Sequence, residues 1–148
     1  MKPSVAIALL LAAPALVAAP VPKEVRASPS HVGTWQCVTL DPNDPAKRTP
    51  SGQVWIIGTD CRVAFHGTGH LGPVPEPTER LAFDPNTGEV EQSNLGGNGL
   101  IRMGRYKIEG DLLTVVLNSV AATPRPVGVV AGPGTRVWHL LRVTEAKR

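Results

Sequence analysis

Two cysteines, Cys37 and Cys61, carry the most reactive side chains in this 148-residue chain. Each has the parity of apolar neighbours in an alternating stretch, which predicts that both face a core. In an oxidising compartment the pair can form a disulfide, and closing a loop of this size would stabilise the fold by about 3–4 kcal/mol. Two buried free thiols fit the same pattern, so the sequence leaves both readings open.

Two histidines, His66 and His70, are close enough in sequence to be candidate metal ligands. Four residues along one strand span about 13 Å, which is too far for a shared ion. A turn through 67–69 could bring the rings together, but no third ligand is adjacent. We therefore expect surface histidines, and we predict neither a bound metal nor a cofactor.

The remaining polar residues form no pattern typical of an enzyme. Asp60 and Asp84 stand in turn sequences, and Glu89 and Glu91 share the polar face of a weak strand. There is no nucleophile elbow, phosphate loop or His-Glu-X-X-His motif. His139 has the parity of apolar neighbours, and we expect it to be an interior polar group that either is satisfied within the core or orients a ligand. The sequence predicts no catalytic site.

The composition limits both the fold class and the partners. The chain contains 15 Gly and 15 Pro, with only 4% aromatic residues, which favours short strands and turns over helices. The formal net charge is +3, and the basic residues are scattered along the chain. Because nucleic-acid-binding proteins concentrate their positive charge on one surface, we predict no nucleic-acid partner.

The first residues have the pattern of a secretory leader. Lys2 precedes an apolar run that is rich in Ala and Leu and interrupted by Pro14, and small residues follow it. We predict a signal peptide over 1–19, a linker over 20–31, a barrel domain over 32–143 and a flexible tail over 144–148. The predicted location is outside the cell, in the periplasm or in the cell envelope. A retained N-terminal anchor is the alternative, although the run is short for a membrane-spanning helix.

About eight short strands follow the linker, beginning near residue 34. Asp, Asn, Pro and Gly clusters separate them, and 41–51 is predicted to be a polar loop. Ile101 and Met103 share one parity, whereas Tyr106 and Ile108 share the other, which predicts a β-bulge near 104–105. We interpret 118–135 as a loop that covers one mouth of an antiparallel up-and-down barrel, a fold whose closure leaves no exposed sheet edge.

Gly33-Thr34-Trp35 resembles the Gly-X-Trp signature of lipocalin-like barrels. The segments 81–85, 104–113, 125–126 and 140–142 are similar to a lipocalin-like domain family of unknown function found in secreted proteins of planctomycete bacteria. The resemblance spans about 32–143, and the chain departs from it in a weak fifth strand and in Val32 before the motif. It implies the fold and an exported location but no activity. It also implies that Gly33, Trp35 and Arg142 are structural, with the guanidinium covering the indole.

These patterns favour a non-enzymatic barrel that binds a small, largely apolar molecule or serves as an accessory domain of the envelope. The alternative is a protein-interaction or inhibitor module that uses its long loops. The residues predicted to line a ligand site are Val63, Phe65, Phe83, Met103, Tyr106, Val115 and His139.

Overall fold

The computed structural model describes residues 30–67, 73–96, 99, 101–120 and 124–144. The predicted signal peptide, most of the predicted linker, His70 and the last four residues lie outside these ranges, so those predictions stay untested. Within the described ranges no helix is long and apolar enough to cross a membrane.

Eight antiparallel strands form a closed barrel in which each strand pairs with its neighbour in sequence and β8 pairs with β1. This arrangement confirms the predicted up-and-down fold. The strands are β1 (Gly33–Asp41), β2 (Asp44–Ile57), β3 (Arg62–His66), β4 (Glu79–Asp84), β5 (Glu89–Asn94), β6 (Ile101–Glu109), β7 (Leu112–Asn118) and β8 (Thr135–Arg142).

Alternate residues of each strand point into the lumen, because successive side chains of a strand project to opposite faces. Leucine, valine and tryptophan side chains from seven strands meet there and pack as one cluster. Its members with no exposed surface are Trp35, Val63, Leu81, Val90, Leu113, Val115, Leu117 and Leu140. The middle and lower lumen is therefore a packed core.

The floor of the barrel is closed by Trp35 and Arg142, as the resemblance implies. Arg142 Cζ lies 4.2 Å from the centroid of the Trp35 ring, and the two residues are cross-strand partners. Arg142 also donates to the backbone oxygens of Val32 and Ser30. Gly33 has a φ of +141°, and a Cβ there would lie 3.0 Å from Arg142 Nη1, so a glycine is needed beside the guanidinium.

The two residues before Val32 contact the barrel. His31 stacks on Phe83 with 4.4 Å between ring centroids, and its carbonyl oxygen accepts a hydrogen bond from Trp35 Nε1. Ser30 supplies an acceptor for Arg142. The described chain before β1 thus seals the floor.

Strand β2 begins much earlier than predicted, because the sequence 44–52 forms a strand rather than a loop. This outer part pairs with β1 only. The lack of an N–H group in Pro45 and Pro50 therefore costs no hydrogen bond on the side that has no neighbouring strand. Arg48 reaches Asp111 in the β6–β7 turn, with Nη1 3.0 Å from Oδ1. In a flat sheet these residues would be about 20 Å apart, so this hairpin arm folds back over the outer wall.

Strand β6 contains no bulge, which makes the predicted phase change wrong. Its pairing with β5 and β7 runs without a register shift, and Gly104 faces Leu117 on the lumen side. A Cβ on Gly104 would lie 2.6 Å from Leu117 Cδ2 and closer still to the carbonyl oxygen of Val116. Ile101 and Met103 point outwards and are exposed, whereas Arg102 points inwards.

Candidate functional site

The open end of the barrel carries a cluster of inward-pointing polar residues on three adjacent strands. Glu79 at the start of β4 pairs with Asn94 at the end of β5, and Gln92 of β5 pairs with Arg102 of β6. Their parity is that of the buried Leu81 and Val90, so the register directs all four into the lumen. We call this group the mouth cluster: Glu79, Gln92, Asn94 and Arg102.

The mouth cluster lines a cavity of about 150 Å³. Gln92 Nε2 donates to Glu79 Oε2, which fixes the orientation of the amide. Among the described residues, Gln92 Oε1 and Arg102 Nε are buried and have no hydrogen-bond partner. A buried polar atom without a partner costs about 1–3 kcal/mol, so the protein alone leaves this site unsatisfied.

The charges of the mouth cluster are also not paired by the protein. Neither Arg102 nor Glu79 has an ion-pair partner within 4.0 Å in the described ranges, although both line the same cavity. Arg136 on β8 also has the parity of lumen-facing residues, but it lies two strands away from β6 and is exposed to solvent. A fixed positive and a fixed negative group thus face one small space, which suits recognition of a polar molecule.

Aromatic side chains occupy the other side of the upper lumen. Trp55 contacts Phe65 with 5.3 Å between ring centroids and Trp138 with 5.7 Å. Phe65 and Trp138 are half-buried and pack against the core cluster from above. The inward-pointing side chains of the upper lumen are therefore polar on β4, β5 and β6 and aromatic on β2, β3 and β8, and the polar ones line the cavity.

The predicted ligand-lining residues separate into three groups. Val63 and Val115 face the lumen but lie in the packed core with no exposed surface. Phe65, Phe83 and Tyr106 are half-buried and pack against that core. Met103 and His139 point away from the lumen.

The outward position of Met103 and His139 corrects the prediction that they line a ligand site. Met103 pairs with Glu91 on the outer face and is 36% exposed. His139 pairs with Val38 and Thr114 on the outer face, and its Nδ1 lies 3.3 Å from the Thr114 hydroxyl. The apolar neighbours that suggested an interior position for His139 are themselves partly covered outer-face residues. Burial lowers the pKa of His139, which favours the neutral ring.

Both cysteines are free, so the structure contains no disulfide between Cys37 and Cys61. Cys37 faces the core as predicted, and burial raises the pKa of its thiol to about 11. Cys61 lies in the β2–β3 turn at the floor, with a φ of 64° and its Sγ 4.0 Å from His31 Nε2. Cys37 is four residues above Gly33, about 13 Å along the strand, so the thiols occupy different layers of the barrel.

In the loop after β7, Arg125 and Pro126 contact the outer wall, whereas the sequence predicted a position over one mouth. Arg125 binds Glu89 and also Glu91, the latter at 2.8 Å. Arg105 donates to the carbonyl oxygen of Pro126 at 3.1 Å. A groove of about 220 Å³ runs beside these contacts, and two of its three carboxylates, those of Glu89 and Glu91, are already paired with Arg125.

In the described ranges, no three His, Cys, Asp or Glu side chains are grouped closely enough to hold a metal ion. Among the described residues, the mouth cluster combines a cavity with two buried polar atoms that have no hydrogen-bond partner.

The mouth cluster was missed by the sequence predictions, although part of it was detectable. Leu81 and Phe83 are predicted to point inwards, and the same alternation extends to Glu79. Val90, the one large apolar residue of β5, has the parity of Gln92 and Asn94. Arg102 was hidden by the wrong phase of β6. A scan of protein-family models and a search of curated proteins found no match to this chain.

Proposed function

We propose that this protein is an exported, non-enzymatic, lipocalin-like barrel that binds a small molecule at its open end. The observation that carries the proposal is the mouth cluster, where Arg102 and Glu79 face one cavity without an ion-pair partner among the described residues. Sites for small molecules combine apolar walls with a few polar groups that fix orientation. We assign the apolar wall to the half-buried rings of Phe65 and Trp138, which lie outside the lining of the cavity itself.

The binding position at the mouth, rather than deep in the lumen, follows from packing. An eight-stranded barrel either fills its interior with side chains or holds one small ligand. Val115 and Leu117 have no exposed surface, so a ligand among them would have to displace core side chains. We therefore propose, in place of a largely apolar ligand, a molecule that has a polar end at the mouth cluster and an apolar part on the aromatic rings.

Export and membership of the planctomycete lipocalin-like family remain parts of the proposal. Export is supported by the Lys2 and apolar pattern of 1–19, and family membership by the Gly33-Thr34-Trp35 motif and the later similar segments. Cleavage is tested by the N-terminal sequence of the protein recovered from the envelope fraction. A mature chain that begins near residue 20 supports export, whereas a cytoplasmic chain that retains Met1 contradicts it.

Binding is tested by native mass spectrometry of the protein isolated from its own host. We expect a non-covalent adduct that disappears on denaturation and is lost in the Arg102→Gln variant. Arg80→Gln removes the same charge from an exposed outer position on β4 and is the matched control. A bare mass, together with unchanged tryptophan fluorescence across a metabolite and lipid library, would contradict ligand binding.

The second candidate function is protein interaction through the loop after β7. Val127 is 97% exposed and Val130 is 75% exposed, although Arg125 fastens the same segment to the wall. Exposed apolar side chains on a segment that is held in place by ion pairs are typical of a surface that contacts another protein. Replacing both valines by serine should abolish capture of a specific partner from the envelope fraction while leaving small-molecule binding intact. Unchanged capture would contradict this function.

A further inference from the structure

We propose that the mouth cluster selects a small zwitterion, a molecule that carries one carboxylate and one amine within a few bonds of each other. This inference rests on the proposed function, because it names the class of ligand that the same site would take. It follows from the opposite charges of Arg102 and Glu79 and from the size of the cavity between them.

Arg102 provides the anion-binding half. Its position is fixed by the β5–β6 register, in which it pairs with Gln92 on the lumen side. A guanidinium presents several donors in a planar fork that matches a carboxylate. No carboxylate of the described ranges lies within ion-pair distance of Arg102, so its fork is available to an incoming anion.

Glu79 provides the cation-binding half. Gln92 Nε2 donates to one of its oxygens, which orients the carboxylate and leaves the second oxygen for another donor. The Gln92 Oε1 atom lacks a partner and offers an acceptor beside it. An ammonium group has three donors and no acceptor, and so it fits two neighbouring oxygens.

A molecule with both charges fits this cavity better than a molecule with one. A simple anion bound to Arg102 would be repelled by Glu79, and a simple cation bound to Glu79 would be repelled by Arg102. A zwitterion places a negative group beside Arg102 and a positive group beside Glu79, and it leaves the net charge of the mouth unchanged. The volume of about 150 Å³ corresponds to about five water molecules, which is enough for the part of a ligand that carries one carboxylate and one amine.

The test is a titration of the mature chain, followed by two-dimensional ¹H–¹⁵N NMR of the backbone amides and the Arg102 Nε–H group. The probes are glycine, β-alanine, 4-aminobutyrate and 5-aminovalerate, which differ only in charge separation, with acetate and methylammonium as single-charge probes. We expect saturable shifts at the mouth for the zwitterions, with one chain length binding about tenfold or more tightly than acetate. Equal affinity for acetate or methylammonium would overturn the inference.

Two substitutions separate the halves of the site. Arg102→Gln and Glu79→Gln should each weaken the best zwitterion by about tenfold or more, because each leaves one ligand charge without its counter-ion. Arg80→Gln and Glu76→Gln alter exposed residues nearby and should leave the affinity unchanged. Urea unfolding of all four variants checks that the barrel is intact.

The outcomes distinguish this inference from the proposed function. If Arg102→Gln abolishes binding while Glu79→Gln has no effect, the site takes an anion, and only the zwitterion inference fails. If no probe shifts a mouth amide but a co-purified molecule does, the zwitterion inference is again wrong and the proposed function stands. If neither the probes nor the co-purified molecule perturb the mouth, both fail.

Discussion

Replacing Gly104 by alanine tests the phase of β6, on which the position of Arg102 depends. Gly104 faces the lumen opposite Leu117, and Arg102 has the same parity two residues earlier. If a bulge separated the two halves of β6, Met103 would point inwards and Arg102 outwards. The substitution adds a single methyl group at the point where the two alternatives differ most.

The size of the effect follows from the space around the glycine. The new Cβ would lie 2.6 Å from Leu117 Cδ2 and 3.0 Å from the carbonyl carbon of Val116. Carbon atoms in contact are normally about 3.5–4.0 Å apart, so β6 and β7 would have to separate by about 1 Å. Overpacking costs about 1–3 kcal/mol, and we expect about 2–3 kcal/mol because the obstacle is backbone. For a domain of this size, the Tm falls by roughly 10 °C.

The assay is urea unfolding followed by the fluorescence of the buried Trp35 and Trp55. Gly128→Ala is the control, because a Cβ there meets no atom within 4 Å, and its free energy of unfolding should stay unchanged or rise by up to about 1 kcal/mol. Where the glycine conformation is compatible, a change to alanine stabilises a protein by about 0.4–1 kcal/mol. A neutral or stabilising Gly104→Ala would refute the inward position of Gly104 and, with it, the placement of Arg102.

Three further predictions concern the floor, the thiols and pH. Trp35→Ala should lower the free energy of unfolding by about 3–5 kcal/mol in urea, and a near-neutral result would contradict its role as the floor of the core. Iodoacetamide should modify native Cys61 but not Cys37, whose pKa of about 11 keeps it a thiol, and intact-mass analysis showing the reverse would contradict the structure. Burial lowers the pKa values of His139 and His31, so the unfolded chain takes up protons first on acidification and stability falls below about pH 6.5. His139→Gln should reduce this loss in urea midpoints compared at neutral and acid pH; an unchanged loss would contradict burial of a neutral ring.

The sequence predicted the strands best where a turn signal stands beside clear alternation. The sequence predicts strands over about 79–84 and 89–94, and β4 and β5 have these bounds because the turn over 85–88 separates them. Leu81 and Val90 lie on their inward face. The outer half of β2 could not be predicted, since Pro45 and Pro50 normally exclude a strand. They are tolerated because that arm pairs on one side only, a fact of tertiary structure.

One of the four residues of the mouth cluster, Arg102, was hidden by an assumption about which residues of β6 point inwards. The parity of Ile101 and Met103 suggested a core position, but both are exposed on the outer wall. The inward position between them and Tyr106 belongs to Gly104, which has no side chain to reveal it. The sequence predictions therefore gave Arg102 no role, although alternation from Gly104 directs it into the mouth.

Parity alone also cannot give the height of a residue along the barrel. Cys37 and Cys61 both followed an apolar pattern, yet one lies within the core and the other in a turn at the floor. Their separation depends on the pairing of β1 with β2, which places Gly33 beside Ile57. The choice between a disulfide and free thiols needed that register.

The central claim is that a small molecule binds at the mouth above a packed lumen. The most direct test is a crystal structure of the protein isolated from its own host and soaked with the tightest-binding zwitterion. We predict ligand density between Arg102 and Glu79, with Val115 and Leu117 still in contact with the core below. An empty mouth, with ligand density among Val115 and Leu117, would contradict the claim.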